Sequence, residues 1–95
     1  MIIQTIKFKS QFTEEEVMRI AKEREPLFMA IPGLIQKYYV KPLKEGYYGG
    51  IYVWDSVESL QTYRDSDLAK SIPQAYAVMG TPEIEVLDVL FQLRK

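Results

Sequence analysis

Histidine, cysteine and asparagine are all missing from this 95-residue chain, which bounds its chemistry before any element is assigned. Ser-His-Asp and Cys-His nucleophile systems have no base to work with. Zinc, copper and haem-iron sites normally draw on imidazole or thiolate and lose their usual ligands. Glu14-Glu15-Glu16 is the one acidic run. At a helix start those carboxylates stabilise the positive end of the helix, and no spacing brings Asp and Glu together as an all-carboxylate metal site. Gly46-Tyr47-Tyr48-Gly49-Gly50 leads into a strand rather than from a strand into a helix, so it is no phosphate loop. What the chain has in quantity is aromatic: seven Tyr, four Phe and one Trp, 13% of the residues. That richness suits a ligand-accepting interior, or an interface between copies, which draws on the same residue types.

The elements that must position these rings start from Gly49-Gly50-Ile51-Tyr52-Val53-Trp54-Asp55-Ser56. As a strand it turns Ile51 and Val53 to one face and Tyr52 and Trp54 to the other. Both rows want cover, whereas a sheet with one wet face would show polar residues on one of them. Helices of the chain can cover one face, and a second copy is the simplest cover for the other. Ninety-five residues make one domain, 1–95, with a single core and little room for a deep enclosed cavity. Hydrophobic content of 47% and charged content of 26% are those of a globular protein. A net charge of −1 and scattered Lys and Arg give no basic footprint for nucleic acid. No cationic start with a long apolar run marks a signal peptide, and no apolar stretch approaches the roughly 20 residues of a membrane span. Together with the lack of Cys, these features are read as a soluble cytoplasmic protein with no membrane partner.

Residues 2–9 alternate Ile2, Gln4, Ile6, Phe8 against Ile3, Thr5, Lys7, Lys9 and predict a first strand. Thr13 reads as an N-cap, with Glu16 completing a capping box and Phe12 stapling onto Val17. Val17, Ile20, Ala21, Leu27, Phe28 and Ile31 recur at helical spacing, interrupted by Arg24. A helix is expected over 14–29, kinked at Pro26 and closed by Pro32-Gly33. Residues 34–41 form the second strand, and the turn-rich 42–46 returns the chain as a hairpin into the third, 47–54. Asp55 or Ser56 caps a second helix. Residues 65–80 are less regular, with a helical turn expected around 74–78. Residues 83–93 alternate and form the fourth strand. The order βαββαβ is that of an α+β, ferredoxin-like unit: a four-stranded antiparallel sheet, order 4-1-3-2, with two helices on one face. Face-to-face pairing of two such sheets makes a homodimer.

Pro32-Gly33-Leu34-Ile35-Gln36-Lys37, together with Gly49 to Ser56, Glu58-Ser59-Leu60 and Tyr63, resembles the YdhR-like monooxygenase family of the dimeric α+β barrel superfamily, which also holds the antibiotic-biosynthesis monooxygenases. Gly80-Thr81-Pro82 and the strand after it fit the closing segment, so the likeness covers nearly the whole chain. The resemblance implies a homodimeric barrel with a small pocket between each sheet and its helices. It also implies oxidation of aromatic substrates by O₂ with neither metal nor organic cofactor. Relatives that degrade haem depend on an Asn, a Trp and a His. Here Trp54 matches the Trp, no Asn exists, and Tyr63 stands near the usual His. In a cofactor-free oxidation an electron-rich phenol or anthrone loses a proton and its anion reduces O₂. The protein excludes water, holds the ring and stabilises the anion. On this resemblance the catalytic candidates are Trp54 as ring wall and N–H donor, Tyr63 as hydroxyl donor and Lys37 as the charge. Phe28, Tyr39, Tyr52, Tyr76 and Met79 complete the substrate lining. An inward strand lysine would have a lowered pKa.

Duller roles exist for each: core or interface for Tyr52 and Trp54, a core edge for Tyr63, a snorkelling stem for Lys37, plain packing for Tyr76 and Met79. The competing functions are a cofactor-independent monooxygenase or related isomerase, and a non-catalytic dimeric module for a small aromatic ligand or an assembly. An RNA-recognition module shares the element order, but Gly46-Tyr47-Tyr48-Gly49 misplaces its small and aromatic positions.

Overall fold

The computed structural model describes residues 1–94. Its elements are β1 (Ile2–Ser10), α1 (Glu14–Met29), β2 (Leu34–Val40), β3 (Tyr47–Trp54), α2 (Val57–Arg64), α3 (Asp67–Lys70), α4 (Ile72–Ala75) and β4 (Val78–Asp88). The four strands form one antiparallel sheet in the order β2-β3-β1-β4. The ferredoxin-like arrangement expected from the sequence is the one observed.

Local signals set most boundaries. Thr13 caps α1: its hydroxyl accepts from the Glu16 N–H at 3.2 Å while the Glu16 carboxylate reaches back to the Thr13 N–H at 3.4 Å. Three glutamates in the first turn meet the positive end of the helix. The helix runs through Pro26, and the Ala30 N–H closes it onto the Phe28 carbonyl. Gly33 turns the chain into β2 at φ +82°, where a side chain would be strained and its Cβ would collide with the Ser59 hydroxyl. Its carbonyl accepts from the Asp55 N–H at 2.9 Å, tying the start of β2 to the end of β3. Ser56 caps α2, accepting from the Ser59 N–H at 3.2 Å.

The expected fourth strand, 83–93, is shifted. β4 starts at Val78 because β1 continues to Ser10, which pairs with Val78 across a bulge between Lys7 and Lys9. It ends at Asp88 because its partner runs out: Ile2 pairs with Asp88, and Val89 N–H donates to the Met1 carbonyl at 3.0 Å. Alternation alone continues to Leu93 with no strand to pair against. The irregular stretch holds two single-turn helices, α3 and α4, where one turn around 74–78 is expected; Ser66 caps α3. Ala77 lies at φ +48° between α4 and β4.

Helices cover the face carrying Ile2, Gln4, Phe8, Tyr48, Tyr52 and Trp54, all buried. One core gathers Ile2, Phe28, Tyr52, Trp54, Leu60 and Tyr63, and a second gathers Phe8, Val17, Tyr48 and Tyr76, with Phe12 packed onto it. The opposite face carries the other row of β3, Ile51 and Val53, paired with Thr5 and Ile3 of β1; Tyr38 and Gln36 lie beside them on β2. Among the described residues no element covers that face, and no helix is long and apolar enough to cross a membrane.

Candidate functional site

The site is built on two inward rows. On β3, Tyr52 and Trp54 lie two residues apart on one face, so their rings stack, 1° between planes and 6.1 Å between centroids. Tyr63 of α2 tilts against both, at 5.6 and 5.3 Å. Phe28, from the last turn of α1, closes the cluster at 6.4 Å from Tyr52 and 6.2 Å from Tyr63. Trp54 is fully enclosed, and its Nε1–H donates to Gln4 Oε1 at 3.1 Å. The hydroxyls of Tyr52 and Tyr63 lie 3.4 Å apart.

On β2 the inward row is Lys37 and Tyr39, paired with Tyr52 and Gly50. Gly50 leaves room for the Tyr52 ring, since a Cβ there would stand 3.1 Å from Tyr52 Cε1, while Lys37 Cε at 3.5 Å would be in ordinary contact. Lys37 Nζ lies 3.4 Å from the centroid of the Phe28 ring, 4.4 Å from that of Tyr39 and 4.7 Å from that of Tyr52. Among the described residues the ion pairs are Arg19–Glu23 and Lys41–Glu14, so Lys37 has no carboxylate partner there. The ring faces favour its ammonium form. Burial opposes that form, and the nearby Arg24 guanidinium adds to the opposition, bringing the pKa down from 10.5 to about 7.

The tyrosines move the other way. Burial raises Tyr52 well above 10, raises Tyr63, and pushes Tyr76 up to about 12. Tyr39 is raised by burial and then by Glu25. These hydroxyls stay protonated at neutral pH and can donate hydrogen bonds, whereas Lys37 divides between amine and ammonium there.

Two adjoining cavities lie between the helices and the sheet. The first, about 120 Å³, is lined by Lys37, Tyr39, Tyr48, Tyr52 and Tyr76, with Val17 and Ala21 of α1 above. The second, about 420 Å³, is lined by Gln4, Tyr63, Arg64, Lys70, Pro82 and Ile84. Ile6 and Ile72 belong to both walls. A cavity of ~150 Å³ accepts benzene, so the first is of single-ring scale, and the second by itself falls in the ~300–1,000 Å³ range of small-molecule sites.

Lys37, Tyr39, Tyr52, Tyr63 and Tyr76 line these two cavities, whereas Phe28 and Trp54 line neither and reach the site through their ring contacts, Phe28 under Lys37 Nζ and Trp54 behind Tyr52. Met79 stands apart: it pairs with Lys9, on the outward row of β1, and is exposed. Two residues at the site were not singled out by sequence reasoning. Gln4 is a polar residue in the inward row Ile2-Gln4-Ile6-Phe8, and is 3% exposed. Arg24 interrupts the apolar stripe of α1, donating through Nη2 to Ser71 Oγ at 2.6 Å. In both cases a polar residue at an apolar position was the available signal. No group of three or more acidic side chains is placed to hold a metal among the described residues.

No protein-family model matches this chain. No curated protein matches it either. Solved structures do. The cofactor-independent oxygenase SnoaB from Streptomyces nogalater superposes with a TM-score of 0.78 at 16% identity, over 99% of this chain and 97% of that one. Rv0793 from Mycobacterium tuberculosis gives 0.76 at 12% identity, over 97% of each chain. An arginine-to-serine mutant of MhuD, solved with two manganese protoporphyrin IX molecules per active site, gives 0.77 at 14% identity over the whole of both chains. Likeness at such identities establishes that this chain has the fold of the antibiotic biosynthesis monooxygenases.

Proposed function

We propose that this chain is a cofactor-independent monooxygenase of the YdhR-like kind, acting as a cytoplasmic homodimer on a small aromatic or polycyclic compound. The observation that carries the reading is Lys37: an amine with a pKa of about 7, walled by three rings, with no carboxylate partner among the described residues, at a cavity of single-ring scale. The dimer reading is supported by the uncovered row of Ile3, Tyr38, Ile51 and Val53, which a second sheet would bury; ~800 Å² per partner is usual for a stable pair.

The chemistry asks for one proton acceptor and a dry site. An activated ring carbon, such as the CH₂ of an anthrone, gives a proton to the unprotonated Lys37 Nζ. The ammonium then stabilises the carbanion beside it, with the Tyr52 and Tyr63 hydroxyls as hydrogen-bond donors. The carbanion passes an electron to O₂, and the radical pair joins as a peroxide anion that takes the proton back from Lys37. Loss of water leaves a carbonyl. One atom of O₂ ends in the product and the other in water, which also carries away both C–H hydrogens, so no external reductant is needed. Trp54, stacked behind Tyr52, fixes that ring rather than touching the substrate.

The test is an oxygen electrode with a panel of quinols, anthrones and hydroxylated aromatics, run beside Trp54 fluorescence. Saturable quenching with matching O₂ uptake supports the enzyme. Saturable quenching without uptake or product favours the non-catalytic binding module.

A further inference from the structure

Lys37, Tyr52 and Gln4 lie on one rung of the sheet, since Tyr52 pairs with Lys37 on one side and with Gln4 on the other. All three side chains turn to the helix-covered face, so the amine and the amide flank the Tyr52 ring from strands about 10 Å apart. Gln4 is only 3% exposed in an otherwise apolar inward row, where a polar group is costly unless it is met. Its Oε1 is met, for the Trp54 Nε1–H donates to it at 3.1 Å. An indole nitrogen only donates, so it fixes which end of the amide faces Trp54. The NH₂ end turns away. Gln4 stands in the wall of the second cavity, with no further side-chain hydrogen bond among the described residues. Tyr63 stands in the same wall and Tyr52 in that of the first cavity, and their hydroxyls, 3.4 Å apart, join the two walls.

We propose that Gln4 Nε2 holds a ketone oxygen of the substrate, across the ring from the carbon that Lys37 deprotonates, and that Trp54 is the residue that positions this amide. The inference rests on the reading of Lys37 as proton acceptor, and it adds a substrate class: a cyclic ketone conjugated across its ring to the reacting CH₂. Lys37 Nζ takes the proton, and the electron pair of the C–H bond moves through the ring onto the oxygen, which becomes an enolate. The amide N–H donates a hydrogen bond to that oxygen, and no bond to Gln4 forms. In an anthrone the oxygen and the CH₂ carbon are about 4 Å apart; with contacts of ~3 Å at each end, the two protein nitrogens stand about 10 Å apart, the separation of the strands that carry them. Charge on the oxygen strengthens the hydrogen bond, so the amide favours the anion over the neutral ketone.

Equilibrium dialysis under nitrogen, with ligand read by absorbance, compares anthrone with 9,10-dihydroanthracene, which keeps the rings and the CH₂ but lacks the oxygen. The unmodified protein should bind anthrone about tenfold tighter, part of it as the coloured anion. Gln4→Met should bring the two ligands within about twofold and lower the ratio of anion to ketone about tenfold. Trp54→Phe should lose part of the preference by letting the amide turn over; Trp54 lines neither cavity, and lost packing alone would weaken both ligands alike. Equal binding of the two ligands by the unmodified protein overturns the inference, and O₂ uptake with anthrone in that case leaves Lys37 standing as the proton acceptor. A folded Gln4→Met protein that keeps both preference and ratio overturns it as well. Preference for anthrone with no anion and no O₂ uptake supports the Gln4 contact and overturns the enzyme reading. Binding of neither overturns both. The comparison in the unmodified protein needs no variant to fold.

Discussion

Lys37→Met replaces a buried amine by an apolar chain of similar length, and its effect on stability depends on pH in a way the site's geometry fixes. In the unfolded chain the lysine titrates at 10.5; in the folded protein it titrates at about 7. Below pH 7 both states carry the proton and folding bears the full cost of burying the charge. That cost is about 5 kcal/mol, since each tenfold loss of proton affinity is worth about 1.36 kcal/mol. Between pH 7 and 10.5 the unfolded state holds more protons than the folded one, so stability rises with pH. From pH 7 to pH 9 the gain from this one group is about 2 kcal/mol, because half of it is already deprotonated in the folded protein at pH 7. Lys37→Met abolishes that gain. Urea unfolding followed by Trp54 fluorescence, at pH 7 and 9 and one fixed protein concentration, measures it as a double difference in which the other titrations cancel. The variant should be the more stable at pH 7, with the advantage shrinking by about 2 kcal/mol at pH 9. Parallel pH dependence in the two proteins would refute the claim that Lys37 is desolvated in the cavity wall.

Three other perturbations separate the parts of the structure. Trp54→Phe removes the N–H that satisfies Gln4 Oε1, and should cost about 2–4 kcal/mol, with Gln4→Leu in the same chain recovering part of it in a double-mutant cycle. Ala77→Gly relieves a positive φ of 48° and should raise the unfolding midpoint in urea by an amount equivalent to about 0.5–1 kcal/mol. Val53→Glu on the uncovered sheet face should give a folded monomer by sedimentation, whereas an unchanged dimer would place the interface elsewhere.

The parts of the fold legible in the sequence are those whose signals are local. The capping box of Thr13 and Glu16, the bounds of β3 and the cap at Ser56 depend on residues within a turn of each other. The ends of β4 depend on where β1 begins and ends, so alternation carried to Leu93 was misleading. The single-turn α3 and α4 have too few backbone bonds to stand on propensity, and they lie against the rest of the chain. At the site, the inward row of β2 made Lys37 visible. Gln4 and Arg24 stayed hidden because each breaks an apolar pattern and is explained only by a partner far along the chain, Trp54 and Ser71. Met79 was placed by its neighbours in sequence, and the bulge in the β1–β4 ladder pairs it with outward-facing Lys9.

The most direct test of the proposed chemistry is the pH dependence of kcat/KM for O₂ uptake with an anthrone that quenches Trp54. If the Lys37 amine takes the proton, the wild-type profile rises through an inflection near pH 7 to a plateau, and Lys37→Met binds the compound but loses the uptake. A Lys37→Met variant that keeps both rate and profile would contradict the assignment of Lys37 as the proton acceptor.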